Sequence, residues 1–372
     1  MFSFRLECSD PTSGARLGVL ETSRGVVKTP LFMPVGTAGS VKATPHEFLE
    51  ELDYRLILAN TYHLYLRPGT AVIAESGGLH RFISWPKTIL SDSGGYQVFS
   101  HRELVRIEEE GVQFRSHLDG SRHFFTPERS MEVQGILGSD IVMAFDDCTP
   151  YPVTVTEAAD SMRRSMRWAE RCRKVVPQGK QALFGIVQGS TFVDLRLESL
   201  EKLLPLEFDG IAVGGFSVGE PKPLMFDILE EMRDRLPVHL PRYLMGVGTP
   251  VDLVRAVGLG FDMFDCVLPT RNARNGTLFT WRGPIRIKNA CYRCDPNPID
   301  EACRCKVCQR YSRAYLRHLF VAGELSALIL NTYHNLHFYK ELMDCIGTSI
   351  RDGSLAGMRR RLEEAYQESG LV

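Results

Sequence analysis

Eight short apolar segments, separated by stretches of helical character, constrain the fold of this 372-residue chain more than any other feature. Most of them are continuous apolar runs, which is typical of strands buried on both faces of a parallel sheet. Strands that alternate with helices predict a (β/α)8 TIM-type barrel. A doubly wound sheet is the alternative, but no GxGxxG motif follows the first segment. The segments are 31–37, 56–64, 88–96, 140–148, 182–189, 211–217, 243–248 and 263–268.

Two regions interrupt this alternation. Residues 97–125 contain turn signals between β-rich stretches, which predicts a β-hairpin insertion rather than a helix. After the eighth segment the chain becomes rich in Cys and Arg, and two helices are predicted over about 310–328 and 335–349. We therefore expect three parts, namely a barrel core over 1–280 that carries the insertion, a zinc-binding subdomain over 281–350 and a C-terminal helical tail over 351–372.

Charge is distributed unevenly along the chain. The net charge is −1, yet residues 271–317 carry eleven Lys or Arg against three acids, a local balance of +8. A basic segment on an acidic body suggests a polyanionic partner at one place, although a solvated basic surface would have the same composition. No segment has the roughly 18 consecutive apolar residues of a membrane span and no signal peptide is visible, so we expect a cytoplasmic protein.

The cysteines predict a metal site. Ten cysteines in a cytoplasmic chain are expected to be reduced or metal-bound rather than paired in disulfides. Three of them have the spacing C-x-C-x2-C, and 25 residues separate the last of them from a histidine, which predicts one closed, structural zinc site per subunit. Two alternatives stay open, because Cys291 and Cys294 form a competing C-x2-C pair and His337 lies one helical turn beyond the first histidine. The predicted ligands are Cys303, Cys305, Cys308 and His334.

Polar residues follow the apolar segments where, in a barrel of this kind, the strands end and the active site lies. They include three carboxylates and three carboxamides but no obvious triad of His ligands. A metal-dependent hydrolase on the same fold would need such ligands, and His63 is the only good candidate, which argues against it. The strand-end residues are Asn60, Asp92, Tyr96, Gln97, Asp146, Gln188, Gly214, Gly215, Met245 and Asp265.

Taken together, these residues resemble the tRNA-guanine transglycosylases, also called queuine tRNA-ribosyltransferases. The resemblance runs in order from about residue 10 to residue 350. The family implies a β/α barrel with a zinc subdomain, and exchange of guanine 34, the wobble base of a tRNA, for a 7-deazaguanine. The motifs are LANTYHLYLRPG (58–69), SDSGGYQVFS (91–100), IVMAFDDCTPYP (141–152), FGIVQGS (184–190), VGGFSVGE (213–220), YLMGVGTP (243–250), FDCVLPTRNARNG (264–276) and the CRCKVC (303–308) with its histidine.

Exchange with retained ribose geometry calls for double displacement by two carboxyl groups, as in retaining glycosidases. By resemblance, Asp265 is the nucleophile that forms a covalent ribosyl-enzyme, and Asp92 is the general acid/base. Cys266 is next in sequence to the nucleophile. Because side chains alternate along a strand, Cys266 should point away from the site and pack in the core.

The resemblance also implies contacts to base and ribose. A carboxylate would accept from N1–H and the exocyclic amine of guanine, a carboxamide and glycine backbone would serve O6 or N7, and two side chains would stack on the ring. The carboxylate is that of Asp146, the carboxamide is that of Gln188, and the glycines are Gly214 and Gly215. The two stacking side chains are Tyr96 and Met245. Asn60 and Gln97 would contact the ribose. The Phe216 carbonyl would accept from the ammonium of 7-aminomethyl-7-deazaguanine, with Glu220 supporting the Gly-Gly peptide behind it.

The incoming base is less constrained, because Phe216 and Ser217 stand where bacterial members have Leu and Ala. Queuine is therefore the alternative to 7-aminomethyl-7-deazaguanine. Arg271 and Arg274 follow the nucleophile directly and would hold the flanking nucleotides of the tRNA anticodon stem-loop. A non-catalytic tRNA-binding partner subunit is disfavoured because both catalytic carboxylates are present. The family acts as a homodimer, and the candidate subunit contacts by resemblance are Lys42, Tyr311, Tyr315 and His318.

Overall fold

A computed structural model describes residues 2–95, 105–176 and 179–367. Their strands are β1 (Ser3–Ser9), β2 (Arg16–Thr22), β3 (Gly25–Thr29), β4 (Leu31–Met33), β5 (Val35–Gly36), β6 (Leu56–Ala59), β7 (Thr88–Ser91), β8 (Val105–Ile107), β9 (Val112–Arg115), β10 (Arg122–Phe125), β11 (Ile141–Met143), β12 (Ala182–Val187), β13 (Gly210–Val213), β14 (Arg242–Leu244), β15 (Met263–Asp265), β16 (Thr277–Leu278) and β17 (Ile285–Arg286). Their α-helices are α1 (His46–Glu51), α2 (Thr61–Leu64), α3 (Thr70–Glu75), α4 (Leu79–Phe82), α5 (Pro127–Leu137), α6 (Val155–Val175), α7 (Val193–Leu203), α8 (Lys222–Met232), α9 (Pro250–Gly258), α10 (Leu268–Arg274), α11 (Lys306–Arg310), α12 (Arg313–Ala322), α13 (Leu325–Asp352) and α14 (Leu355–Tyr366).

The central sheet forms the barrel that the apolar segments predicted. Its strand order is β4-β15-β14-β13-β12-β11-β7-β6-β5, and every pairing is parallel. Pro34 divides the first barrel strand into β4 and β5, because proline cannot donate a ladder hydrogen bond. The half β4 pairs with the last strand, at Leu31 and Met263, and the half β5 pairs with the second, at Val35 and Leu58. The sheet thus closes through the two halves of one strand, which confirms the α/β barrel.

The continuous apolar runs follow from burial on both faces. Along each barrel strand, alternate residues belong to two different clusters. Met263, Tyr243 and Phe184 belong to the cluster inside the barrel, whereas Phe264 and Leu244 belong to the cluster between the sheet and the helices. An alternation of this kind fixes which side chains can reach the interior of the barrel.

The predicted insertion is an antiparallel sheet of β8, β9 and β10, with Val112 opposite both Ile107 and Phe125. It therefore holds one strand more than a simple hairpin. A second antiparallel sheet, β1 to β3, packs Leu20 and Val27 against the interior cluster. Among the described residues, none of the helices has the length and apolar character that crossing a membrane demands.

The helices after the barrel differ from the predicted boundaries. The first ends at Ala322, because Gly323 adopts the left-handed conformation (φ 76°) that terminates helices. The second, α13, is continuous through 329–334, where a break was expected. Low helix propensity is overridden there by burial. Asn335 on α13 accepts from the Phe279 backbone N–H at 3.0 Å and donates to the Pro269 carbonyl at 3.0 Å. The division of the chain into three parts stays a prediction.

Candidate active site and metal centre

Three carboxylates lie at the carboxyl ends of barrel strands. Asp92 follows β7, Asp146 lies three residues beyond β11, and Asp265 is the last residue of β15. Their mutual influence indicates one shared site. Burial raises the pKa of Asp146, and the charge of Asp92 raises it further. Burial also raises the pKa of the Tyr243 phenol, and the charges of Asp265 and Asp92 add to that shift.

Asp265 is held through one oxygen. Met263 faces the interior of the barrel, and the alternation along β15 turns Asp265 the same way. Its Oδ1 accepts hydrogen bonds from the Tyr243 hydroxyl at 2.6 Å and from the Gly246 N–H at 2.9 Å. Among the described residues Oδ2 has no hydrogen-bond partner. Burial raises the pKa of Asp265, while the two hydrogen bonds oppose that shift.

Asp92 is held through both oxygens. Oδ1 accepts from the backbone N–H groups of Thr61 at 2.7 Å and Gly94 at 3.2 Å, and Oδ2 accepts from the Asn60 amide. The side chain is 6% exposed. Asn60, predicted as a ribose contact, thus also positions the general acid/base candidate.

Asp146 has neutral donors on both oxygens. Ser93 Oγ donates to Oδ1 at 2.8 Å and Gln188 Nε2 donates to Oδ2 at 2.7 Å. Burial raises the pKa of Asp146 to about 6. The bonds from Ser93 and Gln188 lower it, and the charges of Asp147 and Asp92 raise it further. The group is therefore mostly ionised at neutral pH but titrates close to it.

A glycine-rich loop follows β13 and borders the same pocket. A Cβ on Gly214 would lie 3.0 Å from Gln188 Nε2 and 3.4 Å from Met245 Sδ, so loop, carboxamide and thioether are direct neighbours. Further on, Glu220 accepts from the N–H groups of Ser217 at 2.6 Å and Val218 at 3.0 Å. Glu220 thus supports the peptides after Phe216, rather than the Gly-Gly peptide that the sequence suggested.

Cys266 behaves as a packing residue. It lies against the cluster outside the barrel, and a Cβ on Gly248 would collide with it at 2.3 Å. Burial raises the pKa of its thiol to about 12, so the nucleophilic thiolate is scarce at neutral pH.

Helix α10 begins three residues after Asp265 and carries both predicted RNA-binding arginines. Arg271 is exposed, and Arg274 is half-buried, with an Nη1 that has no hydrogen-bond partner among the described residues. Neither forms an ion pair within that part of the chain. Two further predicted site residues, Tyr96 and Gln97, lie outside the described residues.

The four predicted metal ligands lie in one buried cluster. Cys303, Cys305, Cys308 and His334 bring their ligand atoms within 4.8 Å of one another, with His334 Nδ1 at 3.8, 3.6 and 3.4 Å from the three sulfurs in that order. Ligands sharing one tetrahedral zinc would stand about 3.6 Å apart. The opposite ring nitrogen, Nε2, bonds the Phe279 carbonyl at 2.8 Å, which orients the ring.

The rival ligands fit this cluster less well. His337 Nδ1 lies 3.6 Å from the sulfur of Cys303 but is not part of the group of four ligand atoms. The same nitrogen also lies 4.0 Å from the Glu341 carboxylate. Cys291 and Cys294 are exposed and outside the cluster. The cluster of three cysteines and His334 could hold a metal ion.

Sequence reasoning missed two residues of the site. Tyr243 lies two positions before Met245 and therefore on the same strand face, which was the available signal. Ser93 follows Asp92 directly and bonds a different carboxylate, Asp146. Neither partner could be read from spacing, since each bond joins neighbouring barrel strands.

A parallel β/α barrel with three acidic side chains gathered at the carboxyl ends of its strands, in a chain whose three cysteines and one histidine could hold a metal ion, is the architecture of a barrel enzyme. The model of the family described as queuine tRNA-ribosyltransferase matches residues 10–368, and the chain belongs to that family. It is therefore an enzyme of the tRNA-guanine transglycosylase type, a pentosyltransferase.

Several relatives are similar over nearly their whole length. The chain is 52% identical over 364 residues to the queuine tRNA-ribosyltransferase of Thermoanaerobacter sp. (strain X514), which covers 98% of this chain and 97% of that protein. It is 54% identical over 358 residues to that of Caldanaerobacter subterraneus subsp. tengcongensis, and 55% identical over 357 residues to that of Syntrophobacter fumaroxidans. Each of these two matches covers 96% of both proteins.

Proposed function

We propose that this enzyme exchanges guanine 34 of tRNAs with a GUN anticodon for 7-aminomethyl-7-deazaguanine, a step of queuosine biosynthesis, through a covalent ribosyl-aspartate intermediate. The observation that carries this proposal is the environment of Asp265. One carboxylate oxygen is fixed by two donors, while the other has no partner among the described residues. Such a carboxylate is oriented yet still has a lone pair for attack.

The reaction proceeds in two displacements. Oδ2 of Asp265 attacks C1′ of the nucleotide, the C1′–N9 bond breaks, and Asp92 supplies the proton to the departing guanine. The incoming base then gives its N9 proton to Asp92 and attacks C1′, and the bond from C1′ to Asp265 breaks to restore the carboxylate. Two inversions retain the ribose configuration.

The pocket offers a pattern that complements guanine. The ionised Asp146 accepts from N1–H and the exocyclic amine, and Gln188, which already bonds Asp146, turns its oxygen or nitrogen to the same edge of the base. The backbone N–H of Gly215 serves O6, and Met245 stacks on one face of the ring. Tyr96 on the other face and Gln97 at the ribose complete the proposed set.

The orientation of the loop after Phe216 supports an aminomethyl substituent on the base. Glu220 holds the Ser217 N–H at 2.6 Å. Because a trans peptide directs its C=O opposite to its N–H, the Phe216 carbonyl points away from Glu220 and can accept from an ammonium group. Cys148 and Val218 would border the same substituent.

The tRNA requires contacts outside the base pocket, since a base that leaves its stack loses a few kcal/mol. We propose that Arg271 and Arg274 hold the nucleotides that flank position 34. The Nη1 of Arg274 has no hydrogen-bond partner in the part of the chain that the structure describes, which supports this role. The enzyme would act in the cytoplasm, where its tRNA substrates are.

A homodimer and a zinc ion complete the proposal. Tyr311 and Tyr315 stack with ring centroids 5.4 Å apart, and Tyr315 is 45% exposed, which supports a subunit contact at this surface together with Lys42 and His318. We assign the metal centre to structural zinc, one per subunit, because four ligands of this type leave no open coordination position. Metal analysis should find one zinc per chain, and a different metal would contradict the assignment.

The proposed reaction is tested by incubating the enzyme with an unmodified GUN-anticodon tRNA and labelled guanine, and then with labelled 7-aminomethyl-7-deazaguanine and queuine in competition. We expect incorporation of guanine and preference for the aminomethyl base. Preference for queuine would overturn the substrate assignment alone. Binding of tRNA without any incorporation would indicate a non-catalytic partner subunit and overturn the whole proposal.

A further inference from the structure

Arg196 on α7 has no exposed surface, and its guanidinium contacts backbone rather than acids. Nε donates to the Ser190 carbonyl at 2.6 Å, Nη1 to the Gly214 carbonyl at 2.9 Å and Nη2 to the Gly215 carbonyl at 3.4 Å. Within the described ranges it forms no ion pair. A buried charge that lacks a carboxylate partner is costly, so a chain that keeps one must gain something from its geometry.

The surroundings of Arg196 are shaped to admit it. Gly189 has φ 145°, and a Cβ there would lie 2.8 Å from Arg196 Cγ, so only glycine leaves room for the stem of this side chain. The Phe216 ring lies against the guanidinium, whose carbon is 3.7 Å from the ring centroid. The aliphatic part of the Arg196 side chain therefore packs against the backbone at Gly189, and its guanidinium packs on the Phe216 ring.

These contacts decide where two peptide groups point. Arg196 binds the carbonyls of Gly214 and Gly215, and a trans peptide directs its N–H opposite to its C=O. The N–H groups of Gly215 and Phe216 therefore point away from Arg196, and neither has a hydrogen-bond partner among the described residues. The loop passes directly over Gln188, whose Oε1 would lie 2.4 Å from a Cβ on Gly215. The peptide that carries the Gly215 N–H therefore lies beside Gln188, a residue that we assign to the base pocket.

We propose that Arg196 is a positioning residue that turns these two backbone donors towards the base and so determines how tightly the pocket binds a base with a carbonyl acceptor. This inference rests on the proposed function. Arg196 binds the carbonyls of Gly214 and Gly215, which leaves the N–H groups of Gly215 and Phe216 available to a ligand. Glu220 binds the N–H groups of Ser217 and Val218, which leaves the carbonyls of Phe216 and Ser217 available. The loop therefore offers hydrogen-bond donors up to the Phe216 N–H and acceptors from the Phe216 carbonyl onwards. A base with a carbonyl acceptor beside a cationic substituent complements that order.

The test compares Arg196→Met and Arg196→Lys with Arg242→Met. Arg242 is the matched control, because it is also buried and donates to the backbone carbonyls of Leu236 at 2.6 Å and Pro237 at 3.2 Å, away from the strand ends that carry the site. Thermal unfolding and the KM and kcat for labelled guanine and 7-aminomethyl-7-deazaguanine are measured for each. A merely structural role would lower the stability of all three variants and leave KM unchanged.

We expect Arg196→Met to raise the KM for both bases roughly tenfold or more, with a smaller change in kcat, because two misdirected peptide donors weaken binding by about the strength of two neutral hydrogen bonds. Arg196→Lys, which keeps the charge but not the three-point geometry, should recover part of that loss. Arg242→Met should keep the KM of the unaltered enzyme.

An unchanged KM in a folded Arg196→Met protein would overturn the proposal, and if that variant does not fold, an unchanged KM in Arg196→Lys overturns it instead. Failure of the unaltered enzyme to exchange any base would count against the proposed function. Calorimetric binding of free 7-aminomethyl-7-deazaguanine to the same variants then decides the role of Arg196 separately.

Discussion

Two aspartates three residues apart, the buried Asp262 and the half-buried Asp265, lie at opposite ends of the same strand and have opposite surroundings. Asp262 precedes β15 and receives the Arg16 guanidinium through Nε at 2.9 Å and Nη2 at 2.5 Å. Asp265 ends β15 and, among the described residues, receives hydrogen bonds only from the neutral donors Tyr243 and Gly246. The charge of Asp262 is therefore neutralised by an ion pair within the fold. The charge of Asp265 has no such partner among the described residues and can interact with a ligand. One end of the barrel is arranged for stability and the other for chemistry.

The largest expected effect comes from removing the uncompensated carboxylate. Asp265→Ala should lower the rate of guanine exchange by a factor on the order of 10⁴ or more, since the proposed mechanism forms its covalent ribosyl intermediate on this carboxylate. The variant should also lose the covalent protein–tRNA adduct. The exchange assay measures the loss of rate, and a denaturing gel measures the loss of the adduct. Cys266→Ala, one residue away, is the control and should retain both. An adduct that persists in Asp265→Ala would assign the nucleophile elsewhere.

At the other end of the strand, breaking the ion pair should affect folding instead. Arg16→Met leaves Asp262 buried without its guanidinium partner, which should lower the free energy of unfolding by about 3 to 5 kcal/mol. Denaturant unfolding measures this loss. The exposed pair of Arg5 and Glu7 provides the control, because Arg5→Met should cost less than about 1 kcal/mol. An equal loss in both variants would contradict the comparison, as would a changed KM for the base in Arg16→Met.

The sequence was sufficient to predict the strands, because burial on both faces produces uninterrupted apolar runs, and to predict the orientation of Asp265 and Cys266, because strand alternation is local. It could not predict that Arg16 pairs with Asp262, since 246 positions separate them and only barrel closure joins them. Nor could it predict the partner of Arg196, whose bonds go to backbone carbonyls that any residue could supply.

Helix boundaries were wrong for a related reason. The stretch before Asn335 has weak helix propensity, but Asn331, Thr332 and His334 in it are buried. Asn335 itself is bonded to the backbone of Phe279 and Pro269, which follow β15. Tertiary hydrogen bonds thus decide whether α13 continues. The same continuity puts His334 and His337 on one helix, and only their placement relative to the three cysteines separates them.

The pKa of Asp146 predicts an effect of intermediate size on the KM for guanine, at the end of the barrel that carries the proposed active site. Because burial raises this pKa to about 6, the carboxylate gains a proton as the pH falls through that value and loses its ability to accept from both guanine donors. The KM for guanine should therefore rise as the pH falls, by about tenfold per unit well below pH 6. Steady-state kinetics between pH 5 and 8 measures it. In Asp146→Asn the KM should be high throughout and lose this dependence, and a parallel rise in that variant would assign the titration to another group.

The smallest effect tests whether the neutral donors of Asp265 matter beyond packing. Tyr243→Phe removes the hydroxyl that lies 2.6 Å from Oδ1 and leaves the buried ring in place. A hydrogen bond to a charged group contributes about 1.5 kcal/mol, so kcat should fall about tenfold while the KM for the base stays the same, because Tyr243 bonds the proposed nucleophile and has no assigned role in binding the base. Tyr339→Phe is the control, since that hydroxyl is equally buried but bonds the Gly248 carbonyl. A loss of kcat in both variants would show a general packing defect, and a loss in Tyr243→Phe alone would show that the chemical end of the strand depends on how its single fixed oxygen is held.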